Sequence, residues 1–495
     1  MDRGIRTTGR LLAFMAALAL VLPASAAPRR DRALEGQLRT HIEVLASDEF
    51  EGREPGTEGE AKTLRYLGQQ WFDIGLVSGT NSPGNEWFVP ITLVAREPAD
   101  SAAQFTRRGR RHFLTGSDAL MLTSGKRSLV RDAPVLFVGT ARTVPVRTEL
   151  AGRVALLLDG GQSDGERQDA LIAAGAAAVV TVLDAERTLE SVAARRKRSG
   201  YALASEALGG DLEGFMTAEA LDRVLHGGAT SVASLRAEAE RPGFAPRLLD
   251  MTASLEATTS ESTIRTHNLI GKLPGRRPDS GAVLFLAHWD HFGVCGEVEA
   301  EDRICNGAID NASGLAALTE IARRLARGPR PDRDIYFLAT TAEELGLLGA
   351  HAFADNPPVP LSQIVAAFNI DSIALAPAGT PLAIVGRGMT PLDAEIEKVA
   401  RAMKRRVVPG DAANAYVRRQ DGWALLQHDI PTVMVTSAYA DLDRVEAFFE
   451  GDYHRPSDNL ANREIELGGA AEDVAFHVAL GRWFGDARRV PPRAR

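Results

Sequence analysis

Short apolar runs alternate with helical patterns throughout the second half of the chain. Apolar residues recur at helical spacing in the segments 314–327, 345–354, 391–404 and 463–484. Four other runs are almost wholly apolar, as expected of strands that are buried on both faces: 283–287, 335–338, 364–370 and 432–435. Strands that alternate with helices predict an α/β fold with a mostly parallel, doubly wound sheet flanked by helices.

The first half of the chain has two different patterns. Residues 33–46 and 57–75 have helical spacing, and a short β-rich stretch ends near Val94. From about 118 to 245, short apolar runs, polar turns and one helix-like segment follow one another without a promising cluster of metal ligands. We therefore predict that residues 118–245 form an inserted, smaller α/β domain.

The length of the chain supports two domains. At 495 residues it exceeds what one hydrophobic core usually organises, in agreement with a discontinuous main domain made of residues 33–117 and 246–490. The composition, 45% apolar and 25% charged, is that of an ordinary globular protein. A formal net charge of -8 argues against nucleic acid as a partner, because nucleic-acid-binding proteins usually have a basic face.

The first 26 residues have the three parts of a secretory signal peptide. Three arginines in the first ten residues precede the apolar run 11–22, and small residues occupy 24–26. The apolar run is shorter than the roughly 20 residues that a membrane-spanning helix needs. We therefore predict that residues 1–26 are removed and that the protein is exported to the periplasm or the extracellular space, without stable insertion into a membrane.

Export bears on the interpretation of the two cysteines. Cys295 and Cys305 are the only cysteines in the chain, and disulfides persist in the oxidising compartments that exported proteins reach. Two thiolates without a third soft ligand nearby would make a poor zinc site. We therefore predict a disulfide, which closes a short loop and restrains the unfolded chain by about 2–3 kcal/mol.

Residues able to bind metal gather where the predicted strands end. Two histidines and four carboxylates lie at strand ends or in adjoining loops: His288, Asp310, Glu343, Glu344, Asp371 and His454. Each of them alone is common in turns or on surfaces, but ligands of doubly wound sheets bind beyond the carboxyl ends of the strands. Their coincidence at that edge predicts a metal site, and mixed imidazole and carboxylate ligands suit zinc, and also cobalt or manganese.

Local spacing indicates how neighbouring residues divide their tasks. Residues i and i+2 of an extended segment point the same way, so we expect the Asp290 carboxylate to accept the second N–H of His288 and orient its ring. Adjacent residues point in opposite directions. One of Glu343 and Glu344 can therefore bind metal while the other faces the cleft as a base.

The motifs, in this order, resemble those of the co-catalytic di-zinc aminopeptidases of metallopeptidase family 28. They are His-Trp-Asp at 288–290, Gly-Ala-Ile-Asp-Asn at 307–311, Glu-Glu at 343–344, Asn-Ile-Asp at 369–371 and Tyr-His at 453–454. The resemblance covers about 33–117 and 250–485 and implies that the main domain is a zinc-peptidase catalytic domain. Residues 118–245 are similar to the protease-associated domain that many members contain, most clearly at 150–156 and 173–179.

The resemblance implies that five residues bind two Zn²⁺ ions per chain. His288 and Asp371 would bind one ion, Glu344 and His454 would bind the other, and Asp310 would bridge the two.

Three further residues would take part in catalysis. Glu343 would be the general base, Asp290 would orient His288, and Tyr453 would donate to the oxyanion. The function that the resemblance implies is that of an exported di-zinc aminopeptidase, which removes N-terminal residues from peptide substrates.

Three alternatives share parts of this pattern. A carboxypeptidase could use the same two-metal centre, with Arg387, Arg418 or Arg419 as partner of the terminal carboxylate. A glutaminyl cyclase usually binds one zinc ion and lacks the inserted domain, and a non-catalytic binding protein would be free to lose the base and the ligands. Two departures from the usual family pattern bear on substrate preference: Gln-Asp-Gly at 420–422 replaces Ser-Asp-His, and Ser372 replaces a more usual Met.

Overall fold

The computed structural model describes residues 30–160, 164–184, 187–198, 200–206, 209–296, 298–461 and 465–491. The predicted signal peptide, residues 1–26, lies outside them. Among the described helices, none combines the length and the apolar composition needed to cross a membrane.

The first two helices coincide with the first two helical patterns to within one residue at each end. Asp31 begins the first helix by accepting the backbone N–H of Leu34, and Gly75 ends the second in a left-handed conformation. The helices are α1 Arg32–Leu45, α2 Glu58–Ile74, α3 Arg147–Leu150, α4 Asp164–Ala173, α5 Leu189–Arg198, α6 Ala218–Leu225, α7 Val232–Ala239, α8 Gly314–Ala326, α9 Leu348–Asp355, α10 Asp393–Ala402, α11 Gly422–Gln427, α12 Leu442–Gly451 and α13 Leu467–Phe484.

The strands of the described residues form one continuous hydrogen-bonded sheet. They are β1 Val77–Ser78, β2 Phe88–Arg107, β3 Arg110–Leu114, β4 Ala119–Thr123, β5 Arg127–Phe137, β6 Val154–Leu158, β7 Ala178–Val182, β8 Tyr201–Leu203, β9 Leu212–Met216, β10 Arg247–Leu273, β11 Ala282–His288, β12 Asp334–Thr340, β13 Ile364–Asn369, β14 Ala383–Val385 and β15 Thr432–Thr436.

The main part of the sheet has the order β14-β15-β13-β11-β12-β10. Its four central strands, β15, β13, β11 and β12, are parallel, whereas β14 and β10 pair antiparallel at either side. Helices cover both faces: Phe285 of β11 lies in a core shared with α1, α8 and α13, while Leu284 packs with Phe353 of α9 and Leu425 of α11. The predicted α/β class with a mostly parallel sheet flanked by helices is confirmed.

Strands β2 and β10 extend beyond this main part. β10 pairs with β12 through residues 269–273 and with β5 through residues 247–258. The sheet then continues through β5, β6, β7 and β9 in parallel, around a second core whose residues run from Ala103 to Ala257. The bounds 118 and 245 of the inserted domain stay a prediction.

The strand β2 is longer than the sequence pattern indicates. The β-rich stretch is expected to end near Val94, yet β2 continues to Arg107. None of its residues 95–102 is buried, so they lack the apolar alternation that predicts a strand, and pairing with β10 holds them extended.

The structure contains a disulfide between Cys295 and Cys305, with Cα atoms 5.7 Å apart. The backbone N–H of Cys305 donates to the carbonyl of Gly293 at 2.8 Å. The Sγ atom of Cys295 lies 4.0 Å from the carbonyl oxygen of His454. The disulfide loop therefore lies beside a predicted metal ligand.

Thiol labelling tests this disulfide in the purified protein. We expect no labelled thiol in denatured, unreduced protein, because both cysteines of the chain are paired. The same protein labelled after reduction is the control and should show both. Two labelled cysteines without reduction would contradict the pairing.

Candidate metal centre

The carboxyl ends of the parallel strands bring the predicted ligands to one edge of the sheet. β11 ends at His288, the loop after β12 contains Glu343 and Glu344, and Asp371 lies just beyond the end of β13. Asp310 lies in the turn that leads into α8, and His454 lies in the loop after α12. Parallel strands end at a common edge, which is why residues so distant in sequence meet here.

His288 lies between two carboxylates. Its Nε2 atom is 3.2 Å from Asp310 Oδ1 and 3.5 Å from Asp371 Oδ1. All three side chains are buried. Ser372, one of the departures from the family pattern, donates its hydroxyl to Asp371 Oδ1 at 3.0 Å and so helps to orient that carboxylate.

His454 faces the other oxygen of Asp310. Its Nε2 atom is 3.4 Å from Asp310 Oδ2 and 2.9 Å from Glu344 Oε2. The Asp310 carboxylate therefore stands between two groups, and each group contains one histidine and one further carboxylate.

The spacing of these atoms fits metal coordination. Two ligand atoms bound to one tetrahedral zinc at its usual bond lengths lie about 3.3 Å apart, and the four distances here run from 2.9 to 3.5 Å. Asp310 Oδ2 and His454 Nε2 are both buried and lie 3.4 Å apart, but they do not have the geometry of a hydrogen bond. Buried polar atoms normally have a partner, so these two atoms fit a metal ion on the His454 side of Asp310. On the His288 side, the distances between the ligand atoms fit a second ion.

Glu343 lies in the same centre. One of its carboxylate oxygens is close enough to His288 and Asp371 to share a metal ion with them. Burial raises the pKa of Glu343 well above its ordinary value, and the carboxylates of Glu344 and Asp371 raise it further while His288 opposes them. The position alone allows Glu343 to act as a base or as a ligand.

Asp290 orients the centre through a different contact from the one that the spacing predicts. The Nδ1 atom of His288 lies 3.1 Å from the backbone carbonyl of Asp290 and 3.8 Å from its carboxylate. The carboxylate instead accepts the backbone N–H groups of Glu343 and Glu344, at 3.1 and 3.3 Å. The rule for residues i and i+2 holds in extended strands, but β11 ends at His288, so the direction of Asp290 is not set by the strand.

Tyr453 covers the His454 side of the centre. Its ring stacks on the His454 ring with centroids 3.5 Å apart and packs edge-on against Phe449. Burial and the carboxylates of Asp310 and Glu344 raise the pKa of Tyr453 well above its ordinary value. Its hydroxyl therefore keeps its proton and is able to donate.

Of the three arginines that could bind a terminal carboxylate, Arg419 stacks against Tyr453. Its guanidinium lies 5.5 Å from the ring centroid of Tyr453 and 4.5 Å from that of Phe449. Arg387 is hydrogen-bonded to Glu397, and Arg418 stacks on Trp423.

His291 is a residue of the centre that the sequence analysis did not identify. Its side chain is fully buried, with Nδ1 2.6 Å from Glu344 Oε1 and 4.0 Å from Asp310 Oδ2. Its position three residues after His288 was the only available signal. An N–H donated from Nδ1 would hold Glu344 Oε1 and leave Oε2 directed at His454.

We predict that His291→Leu weakens zinc binding by about 10–100-fold, the range for loss of the hydrogen-bond partner of a ligand. His291→Asn should retain much of the affinity, because its amide N–H can replace Nδ1–H. Zinc titration of both variants against a chelator measures this. His477→Asn, at a buried histidine of α13 that bonds the Asp473 carbonyl, is the control. Equal affinity in His291→Leu and the wild type would contradict the prediction.

The family model described as Peptidase family M28 matches residues 268–479. This segment contains all the candidate metal ligands together with Glu343, Asp290 and Tyr453.

Two curated relatives match shorter segments of the chain. The aminopeptidase YwaD of Bacillus subtilis is 32% identical over 126 residues, which are 25% of this chain and 25% of the relative. The alkaline phosphatase isozyme conversion protein of Escherichia coli is 26% identical over 125 residues, which are 23% of this chain and 35% of the relative. The chain thus matches only 25% of the length of the first relative and 35% of the length of the second.

A solved structure, the aminopeptidase from Aneurinibacillus sp. strain AM-1, is similar over most of the chain. The likeness covers 90% of this chain and 93% of that chain, with a TM-score of 0.55 and 20% sequence identity. At this level of identity it supports the fold.

Proposed function

We propose that the protein is an exported zinc aminopeptidase of peptidase family M28, with two metal ions at this centre; the match of the family model to residues 268–479 supports the proposal. The observation that carries the proposal is the position of Asp310. Its two carboxylate oxygens face different histidines, His288 and His454. That is the arrangement expected of a ligand shared by two metal ions.

Each metal ion would have its own ligands around the shared Asp310. His288 and Asp371 would hold one ion, and Glu344 and His454 would hold the other. Two zinc ions in such a centre supply an activated water and polarise the carbonyl of the scissile bond.

The residues around the ligands move protons and orient the reacting groups. Glu343 takes the proton of the attacking water and returns it to the leaving amine. Asp290 fixes the turn that carries Glu343, because its carboxylate accepts the backbone N–H of that residue. The hydroxyl of Tyr453 donates a hydrogen bond to the carbonyl oxygen of the scissile bond as negative charge develops on that oxygen.

Substrate comparison tests the aminopeptidase assignment. Aminoacyl-anilides with a free amino group should be hydrolysed, and the same anilides with an acetylated amino group should not. Release of residues from the C-terminus would support a carboxypeptidase, for which Arg419 is the best-placed carboxylate partner. Cyclisation of an N-terminal glutamine without hydrolysis would support a glutaminyl cyclase, and no turnover with metal bound would support a binding protein.

Elemental analysis tests the number of metal ions. We predict two zinc ions per chain in the active protein, because Asp310 offers one oxygen to each of two ligand groups. Protein dialysed against a chelator and then reloaded in steps is the control, since activity should follow the metal content. Full activity with one tightly bound ion would contradict the two-metal centre.

Export and the inserted domain complete the proposal. The disulfide at Cys295 and Cys305 supports an oxidising location, periplasmic or extracellular. The separate core between Ala103 and Ala257 supports a protease-associated domain over residues 118–245.

A further inference from the structure

A fully buried arginine lies beneath the candidate metal centre. Arg53 follows α1 in the chain, and its side chain has 0% exposure. Among the described residues, its guanidinium forms no ion pair with a carboxylate, and its hydrogen bonds go to backbone oxygens. Burying a charge without a close counter-ion destabilises the folded protein by roughly several kcal/mol unless other polar groups compensate. The hydrogen bonds of Arg53 must therefore provide that compensation.

All five N–H groups of Arg53 donate to backbone carbonyl oxygens. Nε donates to the carbonyl of Trp289 at 3.0 Å. Nη1 donates to the carbonyls of Leu45 and Asn306, and Nη2 donates to those of Gly307 and Asp310. Three of these five acceptors belong to the segment 306–310, which carries Asp310. The guanidinium has five donors in a fixed plane, whereas the ammonium of lysine has three, so an arginine is needed to satisfy all of them.

Asp458 binds the same segment through its N–H groups. Its carboxylate is fully buried and accepts the N–H of Ile309 at 3.0 and 3.2 Å and that of Asp310 at 3.1 Å. Its backbone carbonyl accepts the N–H of Ala308 at 3.0 Å. A cation therefore binds the carbonyls of this segment while an anion binds its amides, and each charge matches the peptide dipoles that it faces.

Gly307 allows the segment to approach Arg53 closely. It adopts a φ of 59°, and a Cβ atom there would lie 2.7 Å from Arg53 Nη2. Such a contact leaves no room for a side chain at position 307.

We propose that Arg53 and Asp458 are positioning residues that fix the backbone of 306–310 so that the Asp310 carboxylate can be shared by two metal ions. The proposal rests on the proposed function, since it assumes metal at Asp310. Arg53 holds three carbonyls of the segment and so helps to place the Asp310 carboxylate before metal binds.

A second buried arginine provides a matched control. Arg333 is also fully buried and donates to backbone carbonyls, those of Ser280, Phe484 and Val490, but it lies at the amino end of β12, opposite the centre. We would prepare Arg53→Lys, Asp458→Asn and Arg333→Lys in the full chain, remove metal, and measure Zn²⁺ affinity by competition with a chromophoric chelator, together with the thermal midpoint of the metal-free protein.

Arg53→Lys and Asp458→Asn should lower the Zn²⁺ affinity by about 10–100-fold, whereas Arg333→Lys should lower the thermal midpoint without changing the affinity. Wild-type Zn²⁺ affinity in both Arg53→Lys and Asp458→Asn would overturn the inference, whatever their stability. If Arg53→Lys does not fold, the nearly isosteric Asp458→Asn decides the question. A wild-type protein that binds no Zn²⁺ would overturn the proposed function itself, so the two failures are distinguishable.

Discussion

Replacing Glu343 by glutamine is expected to lower kcat by about 10²–10⁴-fold, the range for loss of general acid–base catalysis. Glutamine has nearly the same shape, and the backbone N–H that Asp290 accepts is unchanged. It cannot take a proton from water, so the chemical step should slow while both metal ions remain bound. Single-turnover kinetics and elemental analysis of the same preparation measure the two quantities.

The adjacent Glu344 provides the matched comparison. Its Oε2 atom lies 2.9 Å from His454 Nε2, so we expect Glu344→Gln to lose activity together with the metal of that group. If Glu343→Gln emptied a metal site instead, Glu343 would be a ligand, as its closeness to His288 and Asp371 allows. If it kept full turnover, the proton transfer would have to be assigned to another residue.

The parallel centre of the sheet could be predicted because its strands are buried on both faces. β11, β12, β13 and β15 therefore read as apolar runs that are distinct from the helical patterns around them. The middle of β2 could not be predicted, because its exposed residues have no apolar alternation and are held extended by the neighbouring strand. Tertiary pairing, which a local pattern does not contain, decides its conformation.

The candidate ligands could be predicted because their residue types and their places at strand ends agree. Arg53 and Asp458 could not, since both act on the main chain of residues far away in sequence. Arginine is usually a surface residue, and nothing in the neighbouring sequence shows that Arg53 is buried. The contact of the Asp290 carboxylate also differs from the one expected from the sequence. The strand ends at His288, so the alternation of side chains along a strand does not extend to Asp290.

The largest effect on metal binding is expected at Asp310. We predict that Asp310→Asn weakens binding of both zinc ions by more than about 100-fold, above the range for loss of a ligand's hydrogen-bond partner, and that hydrolysis is lost with the metal. The physical reason is that its two oxygens face different histidines, at 3.2 and 3.4 Å. A neutral amide offers a single weaker oxygen, and its NH₂ group cannot bind the second ion.

Two comparison variants make this prediction specific to a shared ligand. Asp371→Asn should weaken one ion only, because Asp371 approaches His288 and belongs to one group. Asp332→Asn, at a buried carboxylate that bonds Arg276 at the opposite edge of the sheet, should leave both affinities unchanged. Stepwise Zn²⁺ titration of the three metal-free variants separates these cases. An Asp310→Asn protein that loses one ion and holds the other with wild-type affinity would contradict the prediction. Asp310 would then be a ligand of one ion only and not a bridge between two.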